Sequence, residues 1–181
     1  MKHISKTISI FLIMIGSVAA HPHVYIDVQW RLILDGDELS AIAFSWTYDL
    51  MTSAQIACNL SAQGMEIGEE SNEYFLRNFK ETFQPDNFHT HINIDGKAIP
   101  ILSIENFSNT KLDDQKVRFN FEIPIDFKID KKIDLVISTI DNKNYYAMLP
   151  ETNRLEYEIK AFKINVRIEN EFTHHITIIR K

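Results

Sequence analysis

The chain has 181 residues, of which 19 are basic and 25 acidic, and 45% are hydrophobic, including 12 Phe. The formal charge of −6 argues against nucleic acid as a partner, and the apolar content excludes a disordered chain. The single cysteine, Cys58, excludes an internal disulfide, and we expect it to pack as a small apolar residue.

The first twenty residues have the pattern of a secretory signal peptide. Two lysines precede a short apolar run at 8–15, and small residues at 18–20 are of the kind that a signal peptidase recognises. We predict a signal peptide over 1–20 and one periplasmic β-rich domain over 21–181, without a lipid anchor because no cysteine follows the cleavage point. Loss of the two lysines leaves 17 basic against 25 acidic residues, a charge of −8.

Two strands are predicted next, because apolar and polar residues alternate over 24–34 and again over 42–48. The turn residues Asp35-Gly36-Asp37 separate them. The two strands should therefore form a hairpin.

The register of this hairpin follows from matching the apolar faces. A three-residue loop pairs Val24 with Tyr48 and keeps apolar positions opposite one another, whereas a two-residue loop pairs apolar with polar positions and is rejected. The chosen register places His23 directly opposite Asp49 on the polar face.

Two helices are predicted after the hairpin. Thr52 and Gln55 have the spacing of a capping box at the start of the first helix. The second helix runs from about Ser71 to Pro85 and carries a phenylalanine every fourth residue, which indicates a core-facing stripe. These phenylalanines are Phe75, Phe79 and Phe83.

The rest of the chain alternates as strands do. The predicted strands are 88–94 and 97–104 around an Asp95-Gly96 turn, then 117–123, 133–137, 155–168 and 172–179. The apolar phase switches inside 155–168, so we expect a bulge or break near Lys160. The predicted fold is mainly β, an antiparallel sandwich-like domain with two inserted α-helices.

The predicted mature chain begins with His21-Pro22-His23, and imidazole is a preferred ligand of zinc, nickel, cobalt and copper. On an extended chain His21 and His23 share one face about 7 Å apart, so both can bind one ion. Asp49 could be a third ligand or the carboxylate that orients an imidazole. We therefore predict a metal site at His21, His23 and Asp49.

The N-terminal amine adds a variant of this site. If cleavage follows Ala20, the amine and the imidazole of His21 could clasp one ion, which suits copper. Pro22 has no N–H, so it prevents the square-planar arrangement built from successive deprotonated amides. The alternative, in which these histidines belong to a frayed terminus that binds nothing, stays open.

Other candidate ligands are more distant. Asp27 lies four residues from His23, about 13 Å away on a straight strand, which favours a structural role paired with Ser45 or an adjoining loop. His89 and His91 share the polar face of their predicted strand and could chelate a metal, although ordinary solvated histidines are the favoured interpretation.

The last two histidines, His174 and His175, should point to opposite faces of their strand, one at the core edge and one on the surface. The sequence contains no Gly-rich phosphate loop, nucleophile elbow or zinc-protease helix. We therefore do not expect an enzyme.

A resemblance to a known family rests on residues 21–27, which read His-Pro-His-Val-Tyr-Ile-Asp, and residues 45–49, which read Ser-Trp-Thr-Tyr-Asp. Both are similar to the exported bacterial family called domain of unknown function 1007, whose members read His-Pro-His-Val-aromatic-aliphatic-Asp and Trp-Thr-Phe-Asp. Residues 94–97 resemble the family's Val-Asp-Gly-Lys turn, so the resemblance covers most of the mature chain. The matching candidate ligands are His21, His23, Asp27 and Asp49.

The resemblance implies a periplasmic component of a transport system, which accompanies a membrane permease of nickel/cobalt type and handles zinc or a related metal. Many members carry an acidic loop before the second helix, which residues 59–70 lack, so calcium binding is not carried over. The family's Tyr-Asp-Pro-Thr-Tyr segment is also altered, at residues 140–145.

Together these observations predict a periplasmic accessory protein that handles a divalent transition metal for a permease, with zinc or nickel as the first candidates and cobalt or copper as alternatives. The rival hypothesis is a structural or interaction domain that docks on a membrane transporter and holds no metal. A third hypothesis is a copper protein that uses the N-terminal histidine.

Overall fold

The computed structural model describes residues 24–143, 145–150, 157–159, 161–170 and 172–181. His21, Pro22 and His23 lie outside the described residues, as does the predicted signal peptide. The strands are β1 (Val24–Asp35), β2 (Glu38–Tyr48), β3 (Thr90–Ile94), β4 (Lys97–Ile99), β5 (Glu105–Lys111), β6 (Val117–Lys128), β7 (Lys132–Thr139), β8 (Tyr146–Pro150), β9 (Tyr157–Ile159), β10 (Phe162–Asn170) and β11 (Thr173–Arg180). The α-helices are α1 (Leu50–Ser61) and α2 (Asn72–Phe83).

The strands form two sheets that share one apolar core. The first sheet has the order β5-β6-β2-β1-β8 and the second β4-β3-β7-β11-β10-β9. Buried side chains from both sheets belong to one cluster, to which the phenylalanines of α2 also contribute. The predicted mainly β, sandwich-like fold with two inserted helices is confirmed. One strand pair departs from the antiparallel pattern, because β8 runs parallel to β1.

The register predicted for the β1–β2 hairpin is wrong by two residues. Asp35 pairs with Glu38 across the two-residue turn Gly36-Asp37, and Tyr48 pairs with Ile26 instead of Val24. Apolar residues nevertheless face one another along the hairpin, because a shift of two residues preserves the alternation.

A β-bulge explains why the two-residue turn is compatible with matched apolar faces. Leu34 pairs with Leu39, but the next pair is Ile33 with Ala41, so Ser40 is an extra residue in β2. The Ser40 hydroxyl donates a hydrogen bond of 3.1 Å to the Ile33 carbonyl. A two-residue loop conflicts with matched apolar faces only when the ladder is uninterrupted, and the bulge interrupts it.

Both helices lie where the sequence predicts them, but α1 begins at Leu50, earlier than the predicted cap at Thr52. Asp49, not Thr52, caps α1, because its carboxylate accepts the Thr52 N–H. Cys58 lies on the exposed side of α1 and does not pack in the core, contrary to the expectation. In α2 the phenylalanine stripe is buried as predicted.

The chain between α2 and β3 forms a 3₁₀ turn, Gln84–His89, where an early start of the strand was predicted. Its last three residues have left-handed backbone angles, with φ of 50° at Asn87, 52° at Phe88 and 47° at His89. This conformation ends the turn and delays β3 to Thr90, so His89 is not on the strand.

The C-terminal part agrees with the predicted break inside 155–168. β9 and β10 are separate antiparallel strands that pair Ile159 with Phe162. Lys160 itself lies outside the described residues. No helix within the described ranges has the length and apolar character that crossing a membrane requires.

Candidate functional site

The first described residue, Val24, fixes the point at which the His21-Pro22-His23 segment joins the domain. Its backbone N–H donates to the Tyr145 carbonyl at 3.3 Å, and it pairs with Tyr146 at the start of β8. The segment that carries the predicted metal ligands is therefore attached beside these two tyrosines.

Asp49 links the start of β1 to the start of α1. Its Oδ1 accepts the Thr52 N–H, and its Oδ2 accepts both the Thr52 hydroxyl and the Tyr25 N–H, each at 2.9 Å. The Asp49 N–H in turn donates to the Tyr25 carbonyl at 3.0 Å. Tyr25 thus takes the position opposite Asp49 that the sequence analysis gave to His23.

These hydrogen bonds determine the charge of Asp49. Partial burial raises its pKa, but hydrogen bonds from the backbone N–H groups of Thr52 and Tyr25 outweigh that effect, so the pKa lies below its ordinary value. The group is a carboxylate at neutral pH. In the described structure it serves as the N-cap of α1, and its predicted role toward a metal stays a prediction.

Asp27 is exposed and lies opposite Thr47, not opposite Ser45 as expected. Ser45 instead donates to Asn120 at 2.7 Å, and Thr47 accepts from the Arg118 guanidinium at 3.0 Å. The structure therefore brings Asp27 and Asp49 to the same end of the hairpin without placing them directly across from each other.

A cleft of about 280 Å³ opens beside the start of β1. Its walls are mainly aromatic, and polar side chains from α1 and α2 reach its rim. The residues that line the cleft include Val24, Tyr48, Gln55, Phe83, Tyr145 and Tyr146. Val24, the first described residue, is therefore part of the cleft wall.

Behind the cleft lies a buried pair, His89 and Asp141, that sequence reasoning missed. The His89 Nδ1 is 3.7 Å from the Asp141 Oδ1, and the two side chains are 5% and 2% exposed. The His89 ring packs against Tyr146 and Phe83, with centroids 5.3 and 5.4 Å away. The earlier expectation of a solvated His89 beside His91 is wrong, because His91 is exposed and His89 is not.

Asp141 is held in place by backbone donors. Its carboxylate accepts the N–H groups of Lys143, Tyr145 and Tyr146 at 2.8–2.9 Å. Burial raises its pKa, but these hydrogen bonds lower it further than burial raises it. The pKa of His89 is lowered mainly by burial, against the attraction of Asp141. The pair at neutral pH is a carboxylate facing an uncharged imidazole.

Two sequence signals could have pointed to this pair. Pro85-Asp86-Asn87 is a run of turn formers that argues against a strand beginning at residue 88. Asp141-Asn142 is a second pair of turn formers, located before β8.

The remaining histidines behave as predicted. His174 is buried and its Nδ1 accepts the Trp30 indole N–H at 2.7 Å, whereas His175 lies on the opposite face and pairs with Glu169 at 2.5 Å. Among the residues that the structure describes, no three His, Cys, Asp or Glu side chains form a group that could hold a metal ion. In the described residues such side chains occur in pairs, for example His89 with Asp141 and His175 with Glu169.

The chain matches a known protein family. The model of a family described as Protein of unknown function (DUF1007) matches residues 7–169, which is most of the chain. No curated protein and no solved structure matches.

Proposed function

The chain belongs to the DUF1007 family, and from that premise we propose that it is an exported, periplasmic metal-binding accessory protein. It handles a divalent transition ion, with zinc or nickel as first candidates, for a membrane permease of nickel/cobalt type. Residues 1–20 are the signal peptide in this proposal, and the mature chain begins at His21.

One structural observation supports the proposal most. The Val24 N–H donates to the Tyr145 carbonyl at the edge of the cleft, so the point of the domain that follows His23 in sequence is fixed. A fixed attachment point lowers the ordering cost of a site to which neighbouring side chains of the domain contribute.

The proposed ligands are the imidazoles of His21 and His23. Asp49 is a supporting carboxylate, because it adjoins Tyr25 and retains its charge through the bonds that cap α1. Asp27, exposed on the next outward position of β1, is a second acidic group within the same part of the surface. The negative charges of these two carboxylates attract a cation to this part of the surface, and neither carboxylate needs to be a direct ligand.

A second candidate function is docking without metal. Leu50 and Met51, at the start of α1, are 57% and 75% exposed, and Tyr25 beside them is 47% exposed. Exposed apolar groups that lie together often mark a protein contact. In this alternative the histidine segment extends the contact surface for a membrane transporter.

Calorimetric titration of the exported protein with Zn²⁺, Ni²⁺ and Cu²⁺ tests the proposal. Mass spectrometry first establishes whether the chain starts at His21, since a retained Ala20 removes the copper clasp. The variant is His23→Ala, and His91→Ala is the matched control because His91 is exposed and belongs to β3.

We expect one ion per chain and more than about 100-fold weaker binding in His23→Ala, because an imidazole ligand should matter more than a supporting group, whose loss costs 10–100-fold. His91→Ala should bind as the unaltered protein does. Absence of binding by the unaltered protein would favour the docking function, and equal affinity in His23→Ala would refute the proposed ligands.

A further inference from the structure

The cleft beside the start of β1 has walls made of aromatic rings. Phe75, Phe79 and Phe83 line it from α2, and Tyr48 and Phe119 line it from the first sheet. The Phe79 and Phe83 ring centroids lie 4.8 Å apart, and those of Tyr48 and Phe119 lie 5.3 Å apart. A flat ring that enters the cleft can meet the edges and faces of these rings, which is the geometry that aromatic pairs favour.

Tyr48 brings a polar group to these walls. Its side chain is only 4% exposed, and no hydrogen bond joins its hydroxyl to another described residue. The polar atoms sealed inside the described part of the chain without a partner are Trp46 Nε1, Thr139 Oγ1 and His174 Nε2. The Tyr48 hydroxyl is not one of them, so it is open to the cleft that Tyr48 lines. A nearly buried hydroxyl without a protein partner is available to a ligand.

The Tyr48 hydroxyl keeps its proton at neutral pH. Burial raises its pKa well above the ordinary value, and the neighbouring Tyr146 phenol raises it further. Burial also raises the pKa of Tyr146, which lines the same cleft. The two phenols therefore offer O–H donors to an acceptor such as a carbonyl oxygen.

The described residues that line the cleft carry no charge. Besides the two phenols, their polar groups are the hydroxyls of Thr52 and Thr82, the amides of Gln55 and Asn78, and a third tyrosine, Tyr145. A charged ligand would lose water there without meeting an opposite charge. The cleft therefore favours an uncharged ligand.

The volume of the cleft limits the size of that ligand. A cavity of about 150 Å³ is large enough to hold benzene. The cleft has about 280 Å³, which accommodates one ring with a short polar substituent.

We propose that this cleft is a binding site for a small, uncharged molecule that carries an aromatic ring and a hydrogen-bond acceptor. The ring packs among the phenylalanines of α2 and Phe119, and the acceptor takes the Tyr48 O–H. None of these contacts uses a proposed metal ligand, so binding needs no metal.

Benzamide is the probe, because it is a neutral single ring with a carbonyl acceptor. NMR records the backbone amide resonances of the metal-free exported protein, labelled with ¹⁵N, while benzamide is added to about 10 mM. Benzoate has the same shape with a negative charge, and cyclohexanecarboxamide has the same amide on a ring that is not aromatic. Both are titrated in the same way.

The variant Tyr48→Phe removes only the hydroxyl. Tyr74→Phe is the matched control, because the Tyr74 hydroxyl accepts from Gln63 at 2.9 Å and Tyr74 does not line the cleft. Thermal unfolding of both variants shows whether the Tyr48 hydroxyl contributes to the fold.

We expect benzamide to shift the resonances of cleft residues with a dissociation constant of about 1 mM or below. Benzoate should bind about 10-fold more weakly or worse, and cyclohexanecarboxamide about 3-fold more weakly or worse. Tyr48→Phe should weaken benzamide binding about 3–10-fold, the usual effect of one hydrogen bond, and Tyr74→Phe should bind normally. Tyr48→Phe should unfold at the same temperature as the unaltered protein.

Several results would overturn the proposal. Benzamide that shifts no cleft resonance, or only those of another surface, would show that the cleft does not bind such a molecule. Equal binding of the three probes would refute the chemical class, and unchanged benzamide affinity or a lower unfolding temperature in Tyr48→Phe would refute the role of the hydroxyl. Tighter binding of N-acetylphenylalaninamide than of benzamide would assign the cleft to a side chain of a partner protein instead.

Discussion

At the residue scale, Asp49 shows how one carboxylate joins two elements. Its carboxylate caps α1 by accepting the Thr52 N–H, and it binds the start of β1 by accepting the Tyr25 N–H. Asp49 was predicted as a candidate ligand because the expected register placed it opposite His23 and because it matches the family's Trp-Thr-Phe-Asp motif. In the described structure it caps α1.

We predict that Asp49→Ala lowers the free energy of unfolding by about 0.5–2 kcal/mol, the usual cost of losing an N-cap. Urea unfolding without metal measures this. Asp27→Ala is the matched control, because Asp27 is an exposed acid on the same hairpin, and its effect should stay within about 0.5 kcal/mol. Equal losses in the two variants would mean that the cap contributes nothing specific.

Buried His174 gives the molecule a pH-dependent contact. Its Nδ1 must be unprotonated to accept the Trp30 N–H, and burial lowers its pKa below the ordinary value of about 6.5. The unfolded state therefore binds a proton more readily than the folded state. The stability that this lowered pKa confers is complete above about pH 6.5 and is lost as the pH falls below it.

We predict that the unfolding free energy of the unaltered protein falls between pH 7.5 and pH 5.5, and that His174→Gln falls less over the same range. The comparison isolates His174 because the other titrating groups are common to both proteins. Urea unfolding at several pH values gives the two slopes. Identical slopes would show that His174 does not contribute.

Single residues differ in how well the sequence predicts them. His174 and His175 follow from strand alternation, which assigns neighbours to opposite faces. His89 does not, because its burial depends on left-handed backbone angles that no periodic pattern encodes. Cys58 was misassigned because free cysteines are usually buried, whereas α1 exposes this side of its surface.

At the scale of elements, the phenylalanine stripe of α2 is the clearest agreement between sequence and structure. Phe79 contacts the rings of Trp46 and Phe121 at centroid distances of 5.2 Å each. It joins the helix to the inner face of the first sheet. The four-residue spacing of the phenylalanines predicted the buried face of α2, because residues about one helical turn apart lie on the same side of a helix.

We predict that Phe79→Ala lowers the unfolding free energy by about 3–5 kcal/mol, since it leaves a cavity among packed aromatic rings. Arg77→Ala, on the exposed side of the same helix, should change it by less than about 0.5 kcal/mol. Urea unfolding followed by tryptophan fluorescence measures both. A loss below about 1 kcal/mol in Phe79→Ala would show that α2 does not depend on this contact.

The hairpin shows the limit of element prediction. Both strands were located by alternation, but the register was not, because the bulge at Ser40 adds one residue without changing which residues are apolar. The predicted metal site contained the same register error, because it placed His23 opposite Asp49. Register errors of two residues cannot be detected from a pattern that repeats every two residues.

At the scale of the whole molecule, the site region is assembled from segments that are far apart in sequence. The start of β1, the loop before β8 and the turn after α2 meet at one end of the sandwich. Alternation predicted the sandwich, but the sheet order and the parallel β1–β8 pair depend on contacts between distant segments, which local patterns do not contain.

In the proposed function, histidines hold a transition metal at this end of the molecule. X-ray absorption at the zinc edge, recorded on the chain that begins at His21 and is loaded with one equivalent of Zn²⁺, is the most direct measurement of the ligands. We expect nitrogen and oxygen ligands with the outer scattering of at least two imidazoles. A bound zinc ion without imidazole scattering would refute the proposed site.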